Sequence, residues 1–169
     1  INTPNALLSL CTLSSYKLRF YFSQELDLQT LALRNGSREC LSIIQDCGDV
    51  STNSELINVG YARVFIIAIS SASGSGEEQD REIKDGLDNI SQFIRCLNKG
   101  KQDSFPLQPL LAHRSDEQLE EEGGNEEIDS QLINKRHQYC NIKDQANIAN
   151  GRILNYFIEQ GNPKLYWYQ

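Results

Sequence analysis

The sequence predicts an all-α fold: a disulfide-stapled bundle of about five or six helices with a long acidic loop. Three observations predict it. Apolar residues recur at spacings of three and four along most of the chain, the period of a helix with one buried face. Of five cysteines, Cys40 and Cys47 share one helical stretch, and Cys11, Cys96 and Cys140 each fall in a segment of their own. No methionine occurs and the chain begins at Ile1, which leads us to expect a mature form whose signal peptide has been removed. At 169 residues the chain is long enough to bury a real core, and 1–169 reads as one domain.

The elements follow in order. Pro4 opens the apolar run to Leu13, where a helix start accepts proline. Residues 16–22 alternate, with Tyr16, Leu18, Phe20 and Phe22 on one face. Alternation is a strand signal, so α+β with a short N-terminal hairpin is the alternative architecture. Next, Ser23 is placed to cap, Glu25 sits in a first turn, and Asn35-Gly36 closes a helix. Ser37 caps another, in which Cys40, Ile43, Ile44 and Cys47 make one apolar face and Gly48 is the stop.

Thr52 and Glu55 have capping-box spacing. The helix they open carries Ile57, Gly60, Tyr61, Val64, Ile67 and Ala68 on one face, with Phe65, Ile66 and Ile69 on the other. Apolar nearly all round, it is expected at the centre. The Ser/Gly run 70–76 reads as a flexible joint. Ile83, Leu87, Ile90, Ile94 and Leu97 then mark the clearest helix, ended by Asn98-Lys99-Gly100. Residues 101–125, with Pro106, Pro109 and an acidic run, read as a mobile loop. From Glu126 one long helix runs through Ile128, Leu132, Tyr139, Ile142, Ala146, Ala149, Ile153 and Phe157, with a kink at Asn150-Gly151. The aromatic tail, with Trp167, packs back on the bundle.

The net charge of −7 is local. Eight acids and no Lys or Arg lie between Asp116 and Asp129, and the rest of the chain sits near +1. No basic stripe with interleaved aromatics appears, which argues against nucleic acid. No run reaches the ~18 apolar residues that span a bilayer.

Cys40 and Cys47 lie seven residues apart, about 10 Å along a helix, beyond disulfide reach. Each is therefore expected to bridge to another element, with Cys11, Cys96 and Cys140 as the candidates. Connectivity does not follow from spacing. The fifth cysteine is either a buried thiol or a covalent link to a second chain. Asn35-Gly36-Ser37 and Asn89-Ile90-Ser91 are glycosylation sequons.

Catalytic and cofactor signatures are weak. His137 and Cys140 have i, i+3 spacing, but a structural zinc takes four ligands and no second close pair exists. His113, Ser115 and Asp116 cluster in sequence, yet a triad is a tertiary arrangement and no G-x-S-x-G elbow occurs. The glycine-rich stretch before Glu77 lacks the Lys of a phosphate loop. The acidic run lacks the ligand pattern of an EF-hand. The expectation is a secreted, non-catalytic protein without a cofactor. It binds another macromolecule as an effector, inhibitor or signalling protein, with Glu120, Glu121, Glu122 and Trp167 as candidate contacts. The alternative is a carrier of a small apolar ligand between helices.

Overall fold

The structure, a computed structural model, describes residues 3–16, 24–71, 77–101, 106–133 and 141–154. Among these the fold is all-α. Eight helices follow one another: α1 (Thr3–Ser14), α2 (Gln24–Cys47), α3 (Val50–Asn58), α4 (Tyr61–Ser71), α5 (Glu77–Lys99), α6 (Pro109–Glu121), α7 (Gly124–Ile133) and α8 (Ile142–Leu154). Their buried apolar side chains share one core cluster.

α4 is the central helix, as its apolar composition requires. Tyr61, Ala62, Val64, Phe65, Ile66, Ala68 and Ile69 are all buried, and α4 packs against α1, α2, α3, α5, α6 and α7. The Tyr61 ring lies 4.9 Å from that of Phe65 and 4.6 Å from that of Phe93, within the tilted-pair range. α5 carries the expected stripe, with Ile83, Leu87, Ile90, Ile94 and Leu97 all at 1 % exposure or less. Gly86 lets α5 approach α4: a Cβ there would sit 2.9 Å from Cγ1 of Ile69.

Several boundaries differ from the sequence reading, each for a local reason. The central helix is divided at Val59-Gly60, where Gly60 adopts φ +80°, a value that suits glycine. The N-cap before it is Asp49, whose side chain accepts from the Thr52 amide at 2.9 Å; Thr52 is the capped residue, not the cap. α2 runs straight through Asn35-Gly36, because Ser37, Arg38 and Leu41 beyond it are buried and their packing outweighs ~1 kcal/mol of glycine propensity. That removes the second arm of the alternative hairpin; its first arm, 17–22, lies outside the described residues.

The acidic loop is not a loop from Pro109 onward. Pro109 stands at the start of α6, the position where proline suits a helix. Ala112, Ser115, Asp116 and Leu119 of α6 are buried. Glu126 and Glu127 fall in the first turn of α7, where the helix dipole favours them. The long C-terminal helix is two helices, α7 and α8, packed side by side. Gly151, expected as a kink, is buried within α8.

Disulfide stapling is not found among the described residues: Cys11, Cys40, Cys47 and Cys96 are free thiols. Cys40 and Cys47 are exposed on α2 while Cys11 is buried, so the expected partners do not face one another. Cys140 lies outside the described residues. Among those residues no helix is long and apolar enough to cross a membrane.

Candidate functional site

α2 and α5 form the walls of an open groove of about 810 Å³, with Phe65 and Ala68 of α4 at its base. Its α2 wall includes Leu28, Leu31, Asn35, Arg38, Glu39, Ser42, Gln45 and Asp46. The α5 wall includes Arg81, Glu82, Asp85, Gly86, Asp88, Asn89 and Gln92.

The walls exist because each helix buries one face and leaves an adjoining polar face to the groove. Arg38 joins three elements. Its guanidinium pairs with Glu82 of α5 and donates to the Ser14 carbonyl of α1 at 3.2 Å, a cation at a helix C-terminus. Across the groove Ser42 donates to the Asn89 side-chain oxygen at 2.5 Å, while the Asn89 amide donates to the Asp85 carbonyl at 2.7 Å. Arg81 and Asp85 pair at 3.7 Å along α5. Partial burial pushes the Asp85 carboxyl upward, against the pull of Arg81 and Lys84, with Asp88 adding to the rise.

The groove is acidic: Glu39, Asp46, Glu82, Asp85 and Asp88 stand against Arg38 and Arg81. Gln45 is only 2 % exposed and forms part of the wall. The apolar residues Leu28 and Leu31 are in the same lining.

The residues singled out from sequence are dispersed. Asn35 and Asn89 both line the groove; Asn35 lies within α2 rather than at a turn. Glu120, Glu121 and Glu122 are exposed at the end of α6, and Glu122 pairs with Arg63 of α4 at 3.3 Å. His113 and Glu117 pair at 3.5 Å on the surface of α6. Ser115 is fully buried beside them in sequence, its hydroxyl without a partner among the described residues. His113, Ser115 and Asp116 do not form a triad: neither the Ser115 hydroxyl nor the Asp116 carboxylate has a partner among the described residues. Asp116 is 5 % exposed with neither carboxylate oxygen bonded among those residues. Burial lifts its carboxyl to about 7, against the pull of His113 and with a smaller push from Glu120. His137, Cys140 and Trp167 lie outside the described residues. Among described residues no group of three or more His, Cys, Asp or Glu is placed to hold a metal.

Sequence reasoning missed the groove. Its signal was the polar file Arg38, Ser42 and Gln45 on α2, which passes for a solvated face until Arg38 and Gln45 prove buried. The chain matches no protein-family model, no curated protein and no solved structure.

Proposed function

We propose that this is an extracellular, non-catalytic protein that binds another protein, and that a basic segment of the partner docks in the groove between α2 and α5. The observation that carries the reading is the open groove itself, walled by α2 and α5 over Phe65 and Ala68. The excess of carboxylates around it fits Lys or Arg, and Leu28 and Leu31 offer a place for apolar anchors of an amphipathic helix. An apolar-ligand carrier draws less support from an open groove lined mostly by polar residues.

The probe is a synthetic Lys/Leu amphipathic helix, with its Glu/Leu counterpart as control. The Lys/Leu peptide is expected to perturb the side-chain amide of Gln45 in solution spectra and to dissociate in high salt. Charge reversal at Glu39, Asp46 and Asp88 should abolish binding, while reversal at Glu120 and Glu121 should not. Equal loss from both sets would mean diffuse attraction to acidic surface and would overturn the groove reading.

The extracellular part is tested separately by the intact mass of native protein from the external medium, before and after glycan removal. Both sequon asparagines line the groove, so a glycan on either would crowd the docking surface. The Asn89 amide is already committed to the Asp85 carbonyl, which makes Asn35 the better acceptor.

A further inference from the structure

The apolar face of α2 points the wrong way for a core. Leu33, Gly36, Cys40, Ile43 and Cys47 are all exposed, Leu33 at 41 % and Ile43 at 55 %. The helix buries Ser37, Arg38, Leu41 and Gln45 instead. The exposed residues follow one another at three, four, three and four, the two-per-heptad seam by which helices pair in a coiled coil. The groove lies on the neighbouring shoulder of α2 and is left open.

Area alone does not hold such a contact. The seam is about 21 Å long at ~1.5 Å per residue and one helix, roughly 10 Å, across. It therefore buries on the order of 200 Å² per copy, against about 1,200–2,000 Å² in total for a stable interface. The chain has two free, exposed thiols on this line, Cys40 and Cys47, one heptad apart.

We propose that the seam pairs in parallel with a second copy of this chain, and that disulfides from Cys40 to Cys40 and from Cys47 to Cys47 close the dimer. A two-fold axis along the seam sets every residue opposite its own counterpart, so both bridges form in one register. A different partner would have to present two thiols at the same ~10 Å spacing. Glu39, beside the seam, then faces Ile44 of the other copy and not another carboxylate. The first bridge makes the second an intramolecular event. The inference does not depend on the groove reading.

The oxidant is a low-molecular-weight disulfide such as oxidised glutathione. A Cys40 thiolate attacks it, forming a mixed disulfide and releasing one reduced glutathione. The Cys40 thiolate of the second copy displaces the other glutathione. Two thiols lose two protons and two electrons, and one glutathione disulfide becomes two thiols. Reduced, the chain is a monomer.

The test equilibrates the full chain with oxidised and reduced glutathione and measures mass without reduction, with linkages mapped by proteolysis. The expected product has twice the chain mass, carries Cys40–Cys40 and Cys47–Cys47 links, and returns to monomer on reduction. Cys40→Ser and Cys47→Ser should each leave a singly bridged dimer, and the double variant none. Ile43→Glu, which keeps both thiols, should slow dimer formation at least tenfold without loss of helix signal. A monomer bearing two glutathione adducts, a dimer that persists in the double variant, Cys40–Cys47 cross-links, or an unchanged rate with Ile43→Glu would each overturn the proposal.

Discussion

Arg38 of α2 and Glu82 of α5 form a buried ion pair beside the groove, their side chains 7 % and 12 % exposed. Taking two charges out of water costs several kcal/mol per ion, so the pair holds only while both partners remain. Glu82→Leu should destabilise the fold by about 3–5 kcal/mol, and the double variant with Arg38→Met by much less. Urea unfolding of the four species checks this. Additive losses would show that the two side chains act independently.

Asp116 gives the fold a pH dependence of unusual sign. Its carboxyl is lifted from 3.8 to about 7, so between these values the folded chain binds a proton that the unfolded chain releases. Its effect on stability is therefore most favourable below about pH 4, declines as pH rises toward 7, and is fully adverse above 7. Asp116→Asn should gain up to a few kcal/mol at pH 8, because each tenfold change in proton affinity is worth about 1.4 kcal/mol, and nothing near pH 4. A gain that does not vary with pH would mean that the carboxyl is not held neutral.

Gly36 and Gly86 separate two uses of glycine. Nothing lies within 4 Å of a Cβ built at Gly36, which sits in the interior of α2. Gly36→Ala should therefore stabilise by about 0.5–1 kcal/mol. Gly86→Ala should destabilise, because its Cβ would meet Ile69 at 2.9 Å. Thermal unfolding distinguishes them; the same sign for both would contradict the packing described.

Tyr61 is fully buried and its hydroxyl has no partner among the described residues. Removing an unpaired buried polar atom recovers part of a desolvation cost of about 1–3 kcal/mol. Tyr61→Phe should leave the ring stack intact and raise the denaturation midpoint. A fall would reveal a hydrogen bond to this hydroxyl.

The stripe Ile83, Leu87, Ile90, Ile94 and Leu97 was legible because a helix that buries one face repeats its apolar residues at the helical period. The same rule placed Cys40, Ile43, Ile44 and Cys47 on one apolar face, and that face points outward: only Ile44 of the four packs against the core cluster. Periodicity locates an apolar face but does not say what covers it. The acidic run misled for a related reason. Charge and proline suggested loop, while Ala112, Ser115, Asp116 and Leu119 were spaced to bury one side of α6.

By itself, then, the sequence determined the helical class, the central place of the 61–71 segment and the course of α5, because propensity and periodicity act over neighbouring residues. Only the tertiary structure decided that Arg38 meets Glu82, that α2 and α5 stand apart over Phe65 and Ala68, and that Cys11, Cys40, Cys47 and Cys96 form no bridge to one another. Those outcomes depend on how helices distant in sequence are rotated against one another, and that rotation is set by the competition of all their faces for one core.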